Sequence, residues 1–105
     1  MTIARQEIFG PVVSIIPVES AEEALAVAND TPYGLAASVW TSDLGTAHRF
    51  VRDLQAGVVW VNTFDESDMT LPFGGFKQSG NAKDGCMESV LSYTQEKAAW
   101  LAIGE

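Results

Sequence analysis

The sequence predicts an α/β fold built on a parallel β-α-β-α-β unit. Three observations predict it. Short β-branched runs are apolar on both faces, as strands are when helices cover both sides of a parallel sheet. Capped, amphipathic stretches separate those runs. The two kinds of segment alternate in the order that right-handed crossovers require.

The first run, Val12-Val13-Ser14-Ile15-Ile16, is bracketed by Pro11 and Pro17 and reads as a strand. Ser20-Ala21-Glu22-Glu23 has the form of a capping box, in which hydroxyl and carboxylate each satisfy a backbone N–H. A helix follows, with Ala21, Ala24, Leu25 and Ala28 on one face, and Asn29-Asp30-Thr31-Pro32 ends it. Tyr33-Gly34 is a turn, and Leu35 to Trp40 a second strand expected to be buried on both faces. Thr41, Ser42 or Asp43 can cap a second helix whose Leu44, Ala47, Val51 and Leu54 form a stripe; Gly57 falls where a left-handed C-terminal cap is expected. Val58-Val59-Trp60-Val61 is the third strand. Beyond it the rhythm changes to an acidic loop, Asp65-Glu66-Ser67-Asp68, and the Gly-rich Pro72 to Gly80. A short helix over Gly85 to Ser92 and a terminal strand over Ala98 to Ile103 complete the prediction.

Composition narrows the function classes. With 105 residues, 47% hydrophobic and 19% charged, the chain reads as a soluble globular segment of at most one small domain. Fourteen acids against six bases give a net charge of −8, and the bases are scattered at Arg5, Arg49, Arg52, Lys77, Lys83 and Lys97. No basic patch is formed to hold phosphates, which argues against nucleic acid. Val12 to Val18 and Leu35 to Trp40 fall far short of the roughly 20 residues that span a bilayer, so no membrane association is expected. Glu7 stands where a signal peptide would place its apolar core, and the lone Cys86 fits a reducing compartment; a cytoplasmic location is the expectation.

Few residues carry chemistry on their own. His48 lies beside the apolar stripe of the second helix and reads as a partly exposed structural histidine. Cys86 opens a short helix with no base near it in sequence, and reads as inert. The Gly-rich stretch lacks the spacing of a phosphate-binding loop; Gly74-Gly75 reads as a turn that lets backbone pass close to another surface.

The order of motifs resembles the C-terminal part of the aldehyde dehydrogenase superfamily. Glu7-Ile8-Phe9-Gly10-Pro11 is similar to that family's E-x-F-G-P segment, and Asn29 to Leu35 resembles its N-x-x-x-Y-G-L element. Gly57-Val58-Val59-Trp60-Val61-Asn62, Pro72-Phe73-Gly74-Gly75-Phe76-Lys77-Gln78-Ser79-Gly80 and Tyr93-Thr94-Gln95-Glu96-Lys97 resemble three more, so the likeness covers nearly the whole chain. Family members are several times longer. The resemblance implies that residues 1–80 are the C-terminal part of the catalytic domain, and that residues 81–105 supply a C-terminal helix and the strand of the oligomerisation arm. On its own, that terminal strand would leave an apolar edge open to self-association.

The resemblance assigns roles by position. The Glu matching Glu7 hydrogen-bonds the hydroxyls of the nicotinamide ribose of NAD or NADP, a task that suits a two-oxygen acceptor. The residues matching Phe9 and Leu35 shape the nicotinamide pocket. The bland alternatives are a solvated Glu and two core residues. Asn62 and the Pro72 to Gly80 segment, Phe73 included, match the wall of the substrate site. Members that act on apolar aldehydes often place an aromatic near Ser67; this loop offers Asp65, Glu66, Ser67 and Asp68, which suit a polar or cationic aldehyde. Asp68 to Gly75 with Gln78 to Asn81 further resembles the polyamine-catabolism branch, which oxidises aminobutanal-type, γ-glutamylaminobutanal and guanidinobutanal substrates.

In the family, an upstream cysteine thiolate adds to the aldehyde, hydride passes to the nicotinamide, and an upstream glutamate activates the water that hydrolyses the thioester. Neither group matches a residue here, so the implied partners are upstream cofactor and catalytic domains, the aldehyde, and further copies in a homo-oligomer. This chain would contribute alignment. A stand-alone interaction module that docks on a full-length relative is the alternative.

Overall fold

The computed structural model describes residues 2–104. Its organised part is one β-α-β unit with a helix before it and a second, two-residue ladder beside it. Helix α1 (Ala21–Asn29) starts at Ser20, whose hydroxyl accepts the Glu23 N–H at 3.1 Å. The returning carboxylate of Glu23 accepts from Glu19, one residue before the cap, at 2.8 Å. At the other end, the Asn29 side chain donates to the Asp53 carbonyl at 2.9 Å and accepts from the Gln55 N–H at 2.8 Å. One amide thereby ties α1 to the end of helix α2 (Leu44–Asp53), and an Arg49–Glu22 ion pair joins the two helices at the surface.

Strand β1 (Tyr33–Gly34) is followed by β2 (Ala36–Val39), α2 and β3 (Val58–Val61). β2 and β3 run parallel, with Ala36 opposite Val58 and Val39 opposite Val61. Their ladder is extended by Val58 N–H to Leu35 and Asn62 N–H to Val39. Helix α2 is the crossover and lies on β3. Asp43 is the cap, accepting from the Thr46 N–H at 2.6 Å. The buried stripe is Ala47, Phe50 and Leu54. Leu44 and Val51, assigned to that stripe from spacing, are exposed: the seam that meets β3 centres on Phe50 and so rotates past both. The helix ends on an extended Leu54, and Gly57 is a site of close approach in place of a left-handed cap. A Cβ at Gly57 would run into the Gly74 carbonyl.

Tyr33-Gly34, expected as a turn, is a short ladder. It pairs antiparallel with β4 (Phe76–Lys77), inside the Gly-rich stretch. The Lys77 ammonium caps the end of α1, donating to the carbonyls of Asn29 at 2.8 Å and Thr31 at 3.0 Å. A further bridge joins Phe73 to Asp84, across the boundary expected at residue 80. Helix α3 (Met87–Leu91) sits within the predicted helical span.

Three strand expectations are corrected. Val12–Ile16 forms no strand, and Val13 and Ile15 are 83% and 89% exposed. Ala98–Ile103 forms none either, with Trp100 and Ile103 more than nine-tenths exposed. A strand exists only when a second strand takes its hydrogen bonds, and no described segment forms a backbone ladder with either of these two. The sheet therefore has two parallel strands where three were expected. β2, expected to be buried on both faces, alternates between exposed and half-buried, because α2 packs mainly on its neighbour β3. The radius of gyration, 19.6 Å, exceeds the roughly 13 Å of a compact chain this long. Among the described residues, no helix is long and apolar enough to cross a membrane.

Candidate functional site

Among the described residues two clefts of similar size adjoin the Gly-rich segment, one at each of its ends. The first, about 490 Å³, lies between the end of α1, strands β1 and β2, and the chain leaving α2. Leu35, Ala37, Leu54 and Ala56 give it apolar walls, and Glu7, Asn29, Gln78 and Ser79 supply its polar groups. Backbone hydrogen bonds build it. Gly57 N–H donates to Gly34, Gln78 N–H to Pro32, and Gly34 N–H to the Ser79 hydroxyl at 3.0 Å. Glu7 and Leu35 both line this cleft. Phe9, predicted beside them, is 92% exposed, has φ of +55° and lies outside this cleft.

The second cleft, about 470 Å³, has Gly57 to Trp60 as its floor, residues 66–68 on one side and Leu71 to Phe73 on the other. Trp60 sets the depth of the opening: its indole N–H donates to the Glu66 carbonyl at 2.7 Å and its ring meets Phe64 at 5.5 Å. Asp68 folds back on its own loop, accepting from the Thr70 N–H at 2.8 Å and the Thr70 hydroxyl at 2.7 Å. The backbone N–H of Thr70, followed by its hydroxyl, holds the Asp68 carboxyl below the usual carboxylate range, so it is charged at neutral pH. Ser67, Asp68 and Phe73 share this cleft.

Two predicted residues lie apart from it. Asp65, at φ +60°, is exposed and outside the lining. Asn62 belongs to a shallower depression of about 180 Å³ beside Thr41 and Asp43. Both ends of its amide are engaged by the Thr41 backbone, accepting from N–H at 2.8 Å and donating to C=O at 2.9 Å. This clamp holds the turn from β2 to α2.

Sequence reading treated Trp60 as a strand residue and Ser79 only as part of a motif, yet each shapes a cleft. Trp60 carried the findable signal, since an indole N–H on a strand needs a partner. Cys86 is half-buried at the start of α3, and His48 is exposed. Among the described residues, no three His, Cys, Asp or Glu side chains gather as metal ligands.

A cleft with apolar walls, a few convergent polar groups and an exposed carboxylate is the general form of a small-molecule site. Comparison with known proteins gives it a family. The aldehyde dehydrogenase family model matches residues 1–99. The NADP/NAD-dependent aldehyde dehydrogenase PuuC of Escherichia coli (strain K12) is 48% identical over 102 residues, which are 97% of this chain and 21% of that protein. The aldehyde dehydrogenase KauB of Pseudomonas aeruginosa superposes with a TM-score of 0.89 at 59% identity, over 98% of this chain and 21% of that one. The P. syringae indole-3-acetaldehyde dehydrogenase AldA, solved as a mutant with NAD+ and IAA, gives 0.89 at 55% identity with the same coverage. The chain spans about a fifth of the length of these relatives. With the motif order, the β-α-β unit and nearly the whole length matched, the chain belongs to the aldehyde dehydrogenase family.

Proposed function

We propose that this chain is the C-terminal, cofactor- and substrate-aligning portion of an NAD(P)-dependent aldehyde dehydrogenase that oxidises a polar or cationic aldehyde of the aminoaldehyde type. The observation that carries the reading is the pairing of two clefts on one Gly-rich segment. Glu7 and Leu35 are in one cleft, and Ser67, Asp68 and Phe73 in the other.

The nicotinamide cofactor supplies the hydride acceptor. Glu7 fits its ribose: the carboxylate is exposed at the cleft edge, and no side chain among the described residues hydrogen-bonds it. Two vicinal hydroxyls can donate to its two oxygens. Leu35 offers an apolar wall to a flat ring. In the second cleft, the Asp68 carboxylate favours an aldehyde whose far end is an ammonium, and Phe73 covers the methylene chain between. The chain's own contribution is orientation, and it supplies no nucleophile or base to the chemistry. Further copies, in a homo-oligomer, would cover Trp100, Leu101 and Ile103, all strongly exposed.

The protein that carries this chain, isolated at its native length, tests the reading. A mass several times 11.3 kDa is expected, with 4-aminobutanal oxidised in preference to propanal and to indole-3-acetaldehyde, the aldehyde in the name of its relative AldA. Asp68→Asn should raise KM for 4-aminobutanal about tenfold, the scale of one charge-assisted contact, and leave propanal unchanged. Equal effects on both would overturn the cationic substrate. A native 11.3 kDa species that oxidises no aldehyde would replace the enzyme by an interaction module.

A further inference from the structure

We propose that Lys83 is a positioning residue that holds the 73–76 segment and thereby sets the two clefts relative to one another; the proposal rests on reading those clefts as cofactor and substrate walls. Lys83 is half-buried, whereas Lys77, within the Gly-rich segment, is exposed. Its ammonium donates to the Gly75 carbonyl at 2.7 Å and stands 5.1 Å from the centre of the Phe76 ring. Its stem lies against Gly74, where an added Cβ would come within 2.9 Å of Lys83 Cδ. The next residue, Asp84, exchanges both backbone hydrogen bonds with Phe73, at 2.7 and 2.9 Å. Residues 73 to 76 are therefore gripped one after another by Lys83 and Asp84.

The gripped segment has one end in the second cleft and the other beside the wall of the first. Phe73 lines the second. Phe76 pairs with Gly34, and the nearby Ser79 hydroxyl takes the Gly34 N–H in the wall of the first. A cation on a half-buried carbonyl, with an aromatic ring beside it, is a stronger tether than a surface pair. Lys83→Met keeps the apolar stem and removes both polar contacts. Lys83→Arg keeps a cation able to donate to Gly75 and stack on Phe76.

Hydrogen exchange of the native-length protein, read by mass spectrometry, tests this together with steady-state kinetics. In Lys83→Met, exchange in peptides covering 30–36 and 72–79 should quicken about tenfold, while that of 44–53 holds. KM for aldehyde should rise about tenfold with kcat changed less, and Lys83→Arg should restore both. Unchanged exchange in Lys83→Met overturns the proposal, as does quickened exchange throughout the chain or local quickening with KM unaltered. A wild-type protein that oxidises no aldehyde fails the functional reading instead, and the exchange result still decides whether Lys83 holds the segment.

Discussion

Val12–Ile16 and Val58–Val61 are the two most strand-like runs in the sequence, and they have opposite fates. Val58–Val61 lies beside Ala36–Val39, donates and accepts along a parallel ladder, and has α2 packed on it. Val12–Ile16, as β-branched and as apolar, forms no ladder and exposes Val13 and Ile15 almost fully. Composition does not separate them. The difference is the neighbour: a β-α-β crossover delivers the partner of Val58–Val61 from within the chain, and no described segment does this for Val12–Ile16. Helices differ from both, since their hydrogen bonds close within one segment, and all three predicted helices formed.

The comparison breaks most severely at Gly57, which lets the start of β3 pass beside the Gly-rich segment. Gly57→Ala would drive its methyl group into the Gly74 carbonyl oxygen, backbone against backbone, and should cost about 3 kcal/mol in urea unfolding. Gly10→Ala, beside the other run and with nothing within 4 Å of an added Cβ, should stay within about 0.5 kcal/mol. Equal losses would mean that the segment around Gly10 is packed too.

Truncation sharpens the contrast. Phe50, buried on the α2 seam that meets β3, should lose about 2 to 3 kcal/mol on Phe50→Ala, at the low end for a core phenylalanine because the site is at the edge of burial. Ile15→Ala, at an 89% exposed position, should lose about 0.5 kcal/mol or less. A loss at Ile15 that matches Phe50, read in the same urea titration, would show that Val12–Ile16 is covered by another polypeptide or a second copy.

What was legible in the sequence follows the range of the interaction. The Ser20 cap, three residues from the N–H group it satisfies, is readable, as are both helices; for the second cap the sequence offers Thr41, Ser42 or Asp43, and the fold uses Asp43. The parallel pairing of β2 with β3 followed from their alternation with α2. The ladder of Tyr33-Gly34 with Phe76-Lys77 was not readable, because two-residue strands separated by more than forty residues carry no period. Phe50 was missed because a 3.6-residue period tolerates two neighbouring stripes, and only the placement of β3 chooses between them. Motif resemblance named Glu7, Leu35, Ser67, Asp68 and Phe73, which the fold gathers into two clefts. It also named Asn62, Phe9 and Asp65, which lie outside them. For Asn62 the reason is local: a positive-φ residue between a strand and a loop spends both ends of its amide on the neighbouring turn.

The smallest effect is at the start of the crossover helix, and pH isolates it. The Asp43 carboxyl is held below its ordinary value by hydrogen bonds from Thr46, first the side chain and then the backbone N–H. A carboxyl depressed in the folded state binds fewer protons there than in the unfolded chain. Its stabilisation is therefore complete above the ordinary aspartate value of about 3.9 and is lost as pH falls through the lower folded value. Asparagine caps nearly as well as aspartate and does not titrate in this range. Asp43→Asn should accordingly leave Tm at pH 7 almost unchanged and flatten its decline as pH falls below the ordinary aspartate value of about 3.9. Because α2 carries β3 to its partner, that decline should appear equally in circular dichroism at the helix band and in tryptophan fluorescence read in a Trp40→Phe, Trp100→Phe background that keeps Trp60. A mutant whose acid limb overlays the wild type would show that Asp43 caps α2 without a titrating contribution, and that acid weakens the crossover unit through other carboxylates, with Glu22 against Arg49 the next to remove.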